Sequence, residues 1–506
     1  MPILPIRNSN AYFGFGKQTV QGTAVAPTLF PRWLDGSNID IAMKTEMIRE
    51  GDGTRRLAQV IKNQQHAKIK LRCYPRPIEL GFLENATMGL SADVPTAVAA
   101  PPATTTTTTI TANVSTTVTI ASGAGYFGPG GGTYQILIGA GAPGETPEVV
   151  TFSFPTTPGT TLTVAAGYNA GKFKFGHTIG APVSSITAIN TSLTTATTAG
   201  GTTVITGNNN GLTAGGTQIV MLSPGSLVEE IVTVTVPGTG SGPYTYTVAA
   251  AGTVKNVHPI GDTVVGPTLH SMKDQTDGSF YTVEVGLGSL FGSAGTTLRF
   301  VDCKVDLVKR TSKAGQLLEL EVDLVGIASV VQASPSTVTL ENHAPFYYTS
   351  GVWTLDGSTA GDAPYVESFD IQQKNNMDLA IQSEKITLDA VIFGNVDVTL
   401  TYQVIFQNPA RFYLAYFGSS TLPGTGATDV QAIGAGALIL VFTQADGYHT
   451  ITYTCPTLHY TKVTPPVPKV DGKHMLMQVA AEATSNQGAN LNVLTAVIGN
   501  SQTALF

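Results

Sequence analysis

The sequence predicts an all-β protein with two tandem β-barrel or β-sandwich domains, on three observations. Apolar and polar residues alternate as in half-buried strands, most clearly where Ile69, Leu71 and Cys73 alternate with Lys68 and Lys70. The same alternation recurs at Val396–Tyr402, Thr297–Leu307 and Leu317–Leu324. β-branched Thr and Val are abundant and favour strands, and Gly, with 55 residues, marks turns. The chain also aligns with itself on two scales.

The larger repeat duplicates one domain. Ala67–Gly89 aligns without a gap on Val396–Gly418, and the stretch from Gly295 aligns on the stretch from Gly447. The offsets are 329 residues (67 to 396) and 152 residues (295 to 447), and they differ by 177. The first copy therefore carries an insertion of that size after Gly89. Repetition of this kind indicates a duplicated unit and is the first feature to establish in a chain.

The insertion is itself a tandem repeat. Glu148–Ser153 corresponds to Glu230–Thr235, and His177 corresponds to His258, at offsets of about 80 residues, the size of a small all-β module. Only eight of residues 101–266 are charged. The insertion is therefore predicted to be two small β-modules in which Thr hydroxyls hydrate the outer faces.

These repeats set the predicted domain boundaries. An N-terminal arm spans 1–31. The first duplicated domain is discontinuous, at 32–100 and 268–340, and the second spans 345–506. Module 1 at 110–190 and module 2 at 198–267 lie inside the first. The stretch Pro95–Thr109 is expected to be either an extended linker or disordered, since Pro and Thr both resist helix formation.

One short helix is expected in each copy. In the first copy Pro77 begins the helix and Gly89 stands where a C-terminal glycine ends it. In the second copy Asn408 is the predicted cap, Pro409 the first helical residue and Gly418 the stop.

Composition narrows the class of protein. Three cysteines do not make a disulfide framework, and the repeat-equivalent Cys303 and Cys455 are expected to be buried in two cores of a protein made in a reducing cytoplasm. The first ten residues do not resemble a secretory signal, and no apolar run reaches the roughly 20 residues of a membrane helix. A net charge of −7 argues against a surface that grips nucleic acid.

Signals for catalysis and metal binding are weak. The eight histidines are scattered. His177 and His258 belong to different modules, and His449 and His459 lie too far apart on an extended strand for a zinc site. No nucleophile elbow, metalloprotease motif or phosphate loop occurs. We therefore predict no catalytic, cofactor-binding or metal-binding residues, and no enzyme.

Two segments are predicted to make contacts. The arm carries Tyr12, Phe13 and Phe15 and is expected to dock, either on its own domain or on another chain. Met43–Gln65 is the most charged segment, and it is either a solvated hairpin or a long loop that reaches into a neighbouring subunit. The candidate inter-subunit residues of that loop are Arg49, Glu50, Asp52, Arg55 and Arg56.

The stretch Gly14–Thr28 resembles the start of the tail tube (major tail) proteins of long-tailed, siphovirus-type bacteriophages. In that family a Gly-Lys-Glu-Thr-like start runs into Gly-Thr-Ala-x-x-Pro, and here Gln18 stands at the Glu position. The strand at Asn38–Met43, the charged loop, the strand at Ile69 and the Pro-initiated helix follow in the same order. The duplication is similar to the subgroup with two tube domains per chain.

The resemblance implies a structural virion protein that self-assembles into stacked rings and forms a hollow tail tube. Two tube domains per chain imply trimeric rings with pseudo-sixfold symmetry, although the sequence leaves a hexamer open. Implied partners are further copies, other tail proteins, and double-stranded DNA that passes through the bore without specific binding. The implied location is the virion tail, after synthesis in the host cytoplasm, without membrane insertion. Candidate bore-lining residues are Asp397, Thr399 and Thr401.

The inserted modules are expected to project outward, since the bore has no room for them. They are similar to immunoglobulin-like decorations, which serve either as spacers or as weak binders of host cell-surface glycans. Candidate sugar-stacking residues are Tyr126, Phe127, Tyr168 and Tyr244. A surface adhesin built of tandem β-modules that bind glycans is the alternative function, and a polysaccharide-degrading enzyme ranks third.

Overall fold

In the computed structural model of the protein, the described residues are mostly β-sheet with two helices, which confirms the predicted all-β class. The structure describes residues 11–48, 59–88, 96–97, 104–121, 133–138, 148–153, 161–166, 171–173, 176–186, 190–206, 217–223, 229–235, 244–248, 253–266, 268–273, 280–286, 297–332, 335–359, 363–380, 387–407, 409–417, 435–444, 449–464, 475–485 and 492–500. In these ranges no helix is long and apolar enough to cross a membrane.

The elements follow the chain in three blocks. Before the insertion come β1 Tyr12–Lys17, β2 Asn38–Ile48, β3 Gln59–Cys73, α1 Pro77–Met88 and β4 Thr96–Ala97. The insertion holds β5 Thr104–Thr105, β6 Thr117–Thr119, β7 Thr133–Ile138, β8 Glu148–Ser153, β9 Thr161–Val164, β10 Pro182–Ile186, β11 Asn190–Ser192, β12 Thr203–Thr206, β13 Thr217–Leu222, β14 Glu230–Thr235, β15 Tyr244–Val248 and β16 Thr263–Val265.

The third block completes the first copy and forms the second. It comprises β17 Thr268–Lys273, β18 Tyr281–Gly286, β19 Thr297–Lys313, β20 Glu319–Gly326, β21 Ala328–Gln332, β22 Gly351–Leu355, β23 Val366–Lys374, β24 Asp378–Ala380, β25 Ala390–Ile392, β26 Asp397–Ile405, α2 Ala410–Phe417, β27 Ala435–Thr443, β28 Thr450–Thr464, β29 Leu476–Ala483 and β30 Thr495–Asn500.

Eight strands form a continuous row in the order β2-β3-β20-β19-β23-β26-β29-β28. The first four belong to the first copy and the last four to the second, and the two sets have the same order along the chain. The copies join where β19 pairs antiparallel with β23, from Leu307 opposite Lys374 to Lys313 opposite Ser368. The joint is therefore a backbone hydrogen-bond ladder between two copies of one unit.

A second layer repeats in the same way. The N-terminal part of β19 pairs with β18 and β21, and β18 pairs with β1. The N-terminal part of β28 pairs with β27 and β30, and β27 pairs with β22. β19 and β28 thus belong to both layers, and one apolar cluster between the layers continues from Phe13 to Ile498 through both copies.

The two ends of the insertion are neighbours. β4, just before it, pairs with β17, just after it, with Ala97 opposite Thr268. β17 also pairs with β30 of the second copy. An insertion that leaves and returns at one place disturbs its host domain little. Of the stretch Pro95–Thr109, both β4 and β5 are extended, as a linker would be.

Each half of the insertion forms a six-stranded sheet with its own core. The orders are β5-β10-β7-β8-β9-β6 and β11-β16-β13-β14-β15-β12, so the topology repeats strand for strand. Isolated bridges link the two end strands of each sheet, at Thr106 with Ile120 and at Leu193 with Thr206. The described strands of each module thus form one sheet whose two end strands are joined. That each module is an immunoglobulin-like sandwich stays a prediction.

The proline is the first residue of α1, but it precedes the first residue of α2. α1 begins at Pro77 as predicted, and the Leu80 amide donates to the Arg76 carbonyl at 2.7 Å. α2 begins at Ala410, one residue later than predicted. The reason is that the Pro409 carbonyl accepts the first helical hydrogen bond, from Tyr413 at 2.9 Å, which places Pro409 at the cap. The predicted cap and stops, Asn408, Gly89 and Gly418, lie outside the described residues.

The described part of the N-terminal arm, from Ala11 onward, docks on its own chain. β1 pairs with β18 along its length, and Phe13 and Phe15 are buried in the main core. Beyond β1, the Gln18 side-chain amide donates to Asp302 Oδ1 at 3.0 Å and accepts from the Asp302 amide at 2.8 Å. The Gln18 side chain therefore ties the segment after β1 to β19.

Three free cysteines are buried, as expected for small core residues. Cys303 on β19 and Cys455 on β28 occupy corresponding strands, and Cys73 lies at the end of β3. Burial raises the pKa of all three thiols, to about 12 for Cys455.

A buried ion pair lies where the copies meet. Arg310 on β19 donates from Nε to Glu84 Oε1 on α1 at 2.7 Å and from Nη2 to the other carboxylate oxygen. Both side chains are fully buried. From the second copy, Tyr453 donates to Glu84 at 2.6 Å and Gln373 accepts from Arg310 at 3.3 Å. Burial lowers the pKa of Arg310, but Glu84 raises it more, so Arg310 is charged within the core.

We expect Arg310→Met and Glu84→Met each to lower the free energy of unfolding by roughly 3–5 kcal/mol, because each leaves one buried charge without its partner. The double variant should lose less than the sum of the two single losses. Urea denaturation followed by tyrosine fluorescence measures all four proteins. Strictly additive losses would show that the two charges are not coupled.

Candidate assembly interface

The eight-strand row has one apolar and one polar face. On β26, Val398 and Leu400 are buried, whereas Asp397 is exposed and Thr399 and Thr401 are half-buried. Most other strands of the row alternate in the same sense, whereas none of Asn38–Thr45 on the edge strand β2 is buried. The buried face of the row packs on the main core, and the opposite face is polar. The polar face is therefore a continuous surface across both copies.

Several charges on the polar face are paired across strands. Cross-strand pairs join Lys70 with Glu321 at 2.5 Å, Arg72 with Glu319 at 2.5 Å and Lys309 with Asp370 at 2.9 Å. Pairs at this degree of exposure add little stability. Their consequence is electrostatic, because a cation already matched by a carboxylate attracts a passing phosphate less than an unmatched one.

The three predicted bore-lining residues share this face. Thr399 lies opposite Gln372 on β23, and Asp397 Oδ2 accepts from the Asn376 side-chain amide at 2.6 Å. Thr401 follows on the same side of the strand. The structure brings the three together on one polar surface, and their position in a bore stays a prediction.

The charged segment Met43–Gln65 is a hairpin over its described part. β2 pairs along its whole length with Gln59–Lys70 of β3, but β20 pairs with β3 only over Ala67–Cys73. The part nearer the tip thus extends beyond the row as a two-stranded ribbon. Such a ribbon is marginally stable alone in water, and this one leaves 60% of Met43 and 52% of Val60 exposed. The ribbon therefore offers apolar surface to a partner.

The predicted inter-subunit loop residues lie outside the described part of the chain. These are Arg49, Glu50, Asp52, Arg55 and Arg56, between the end of β2 and the start of β3. Their ion pairing with a neighbour stays a prediction.

Both ends of the row are edges without a partner strand among the described residues. β2 pairs with β3 alone. β28 pairs with β29 on one side as far as Thr464, whereas β27 covers the other side only as far as His459. Tyr460–Thr464 thus present an open edge. Unpaired edges are templates for pairing with another chain.

A cluster of charged groups surrounds the start of α1. The Glu341 carboxylate accepts from the Ile78 and Glu79 amides at 3.0 and 2.8 Å. His343 lies between two acids, with Nδ1 2.7 Å from Glu341 Oε1 and Nε2 2.9 Å from Glu229 Oε1. Burial lowers the pKa of His343, but the two carboxylates outweigh it and raise the pKa to about 10.

A second histidine faces the same acid. His449 Nε2 lies 3.4 Å from Glu229 Oε1, and the His343 and His449 rings are 4.6 Å apart. Sequence reasoning paired His449 only with His459 and missed this cluster. The three residues come from module 2, from the connection before β22 and from the start of β28, so no local spacing could have revealed them.

Among the described residues, the other histidines and aromatics singled out by the sequence do not form a shared site. His177 and His258 are buried in separate modules, where His258 Nδ1 lies 2.7 Å from Ser223 Oγ. Tyr244 packs on the core of module 2. Tyr126, Phe127 and Tyr168 lie outside the described residues.

Comparison with protein-family models finds no match, and comparison with curated proteins also finds none.

Glu79 generates a prediction about pH. Its side chain is fully buried, and burial, followed by the nearby Glu341, raises its pKa from 4.5 to about 8. The folded chain therefore holds a proton that the unfolded chain releases between these pH values. Stability from this proton is complete below the unfolded-state pKa and is lost as pH rises to the folded-state pKa. Each pH unit between the two pKa values removes about 1.4 kcal/mol.

Glu79→Gln should remove this loss, so the variant should lose less stability than the parent between pH 5 and pH 8.5. Melting temperatures across that range measure the difference. Glu482→Gln, at an exposed position on β29, is the matched control and should follow the parent. Parallel curves for the parent and Glu79→Gln would contradict the prediction.

Proposed function

We propose that this chain is a structural virion protein that forms closed rings of three copies, which stack into the hollow tail tube of a long-tailed bacteriophage. In this proposal each chain supplies two tube-type domains, so that a ring has pseudo-sixfold symmetry. The observation that carries the proposal is the internal joint between β19 and β23, together with the open edges at both ends of the row.

The internal joint provides a template for a joint between chains. Val308 on β19 lies opposite Gln373 on β23. Tyr460 on β28 corresponds to Val308, and Ile39 on β2 corresponds to Gln373. These correspondences follow from the pairing with neighbouring strands. Val308 faces Val322 on β20 as Tyr460 faces Ala481 on β29. Gln373 faces Val398 on β26 as Ile39 faces Ile69 on β3. Repeating the joint places Tyr460 opposite Ile39 of the next chain.

Such a joint connects the two edges that the described chain leaves unpaired. Each added chain covers one edge and presents another, and only closure into a ring removes both. With two four-stranded sets per chain, three chains supply six equivalent sets. Head-to-tail contact between rings does not close and yields a filament. The β2–β3 ribbon, with its exposed Met43 and Val60, is suited to contact the adjacent ring.

The polar face is the better candidate for the lumen. The second layer and α1 cover the apolar face within each chain, so the polar face is the one left uncovered. Its paired charges and the net charge of −7 suit a conduit through which DNA slides without phosphate–cation contacts. Asp397, Thr399 and Thr401 would then line the bore.

The inserted modules belong on the outside of this tube. They enter through β4 and leave through β17, which extend the second layer beyond β30. As outer decorations they are spacers or weak binders of host glycans, and many copies along a tube would give avidity to weak sites.

An engineered disulfide tests the ring directly. Thr461 is a bulged residue, because Tyr460 faces Ala481 and Lys462 faces Ala480. Lys462 therefore corresponds to Lys309, which faces Gln372, and the same register places Lys462 opposite Asn38 of the next chain. Directly opposed residues in antiparallel strands have Cβ atoms about 4.5–5.5 Å apart, within reach of a disulfide after small adjustment. We expect Asn38→Cys/Lys462→Cys to give, on oxidation, a covalent ladder that ends at three chains on non-reducing gels.

Lys462→Cys combined with Asp397→Cys is the matched control, because Asp397 lies within the row and not at its edge. This control should give no ladder, and neither should either single edge variant. A ladder that ends at six chains would replace the trimer by a hexamer. No cross-linking of the edge pair in assembled protein would contradict edge-to-edge closure.

A further inference from the structure

Three potential metal ligands converge between module 2 and the body of the protein. Glu229 precedes β14, His343 lies in the connection before β22, and His449 precedes β28. Their ligand atoms all lie within 4.8 Å of one another. A tetrahedral ion bound at about 2.0–2.2 Å from each would hold the atoms roughly 3.4 Å apart. The His449–Glu229 separation is already 3.4 Å, and the His343–Glu229 separation is 2.9 Å.

The orientation of His343 is fixed for coordination. Its Nδ1 faces Glu341, whose carboxylate is itself held by the first amides of α1. A carboxylate on one ring nitrogen directs the other nitrogen toward a metal and is the usual partner of a metal-bound histidine. This leaves Nε2 facing Glu229 and His449.

The side chains of Glu229, His343 and His449 are largely buried, but His343 stays partly exposed to solvent. Exposed fractions are 12% for His343, 7% for Glu229 and 1% for His449. An ion could reach the cluster through the His343 side and keep a water as its fourth ligand. One imidazolium would be enough to neutralise the Glu229 carboxylate. Here the imidazoles of His343 and His449 both approach the same carboxylate oxygen, as they would around a shared ion.

We propose that Glu229, His343 and His449 form a binding site for a zinc-type divalent cation that joins module 2 to the body of the protein. Two imidazoles and one carboxylate form a donor set that binds Zn²⁺ in preference to Mg²⁺ and Ca²⁺. The latter two ions prefer oxygen ligands only. The cation would link three segments that are distant in the sequence, and it would fix the direction in which the decorating module projects.

The test uses tag-free, full-length protein stripped with a chelator and titrated with Co²⁺, followed by competition with Zn²⁺. We expect one equivalent per chain, with the strong visible absorption of four-coordinate cobalt, and a higher melting temperature with metal. His449→Gln and Glu229→Gln should each weaken binding by at least about 100-fold, and Glu341→Gln by roughly 10- to 100-fold. His66→Gln, outside the cluster, is the control and should bind as the parent does.

Two results would overturn the proposal. One is the absence of saturable binding by the parent protein. The other is binding that His449→Gln and Glu229→Gln leave unchanged while circular dichroism shows them folded. If either variant misfolds, X-ray absorption of the cobalt-loaded parent decides, because two coordinated imidazoles must then appear in its scattering.

Discussion

Backbone pairing along β19 is the constraint on which the rest of the structure depends. This strand of 17 residues pairs with β18, β20, β21 and β23, so it holds both layers of the first copy and carries the ladder to the second. Arg310 lies on the same strand, and its buried pairing with Glu84 and Tyr453 ties α1 and the second copy to it. The relative position of the two copies follows from this strand.

A joint between copies of one unit has a consequence for assembly. The edges of β19 and β23 pair inside the chain. The equivalent edges of β28 and β2 lie at the two ends of the row, where the described residues leave them unpaired. In the trimeric ring that we propose, three of the six joints would therefore lie within chains and three between chains. The alternation of buried and polar residues along each strand gives the row one apolar face and one polar face.

The sequence predicted what local patterns encode. Alternation located β3, β26 and β19, the two prolines located the helices to within a residue, and self-alignment anticipated the repeated strand orders. It did not predict the pairing of β17 with β30, the open edge at Tyr460–Thr464 or the cluster around Glu229. The first and the last depend on contacts between segments more than a hundred residues apart, and the open edge depends on where β27 ends along β28. Neither leaves a periodic trace in one sequence.

The central claim is that the chain closes into rings that stack. Negative-stain electron microscopy of the purified protein over a concentration series tests it most directly. We expect hollow, striated filaments with side projections, and end views with six lobes per ring at the mass of three chains. Particles that remain single chains at every concentration and salt condition would contradict it.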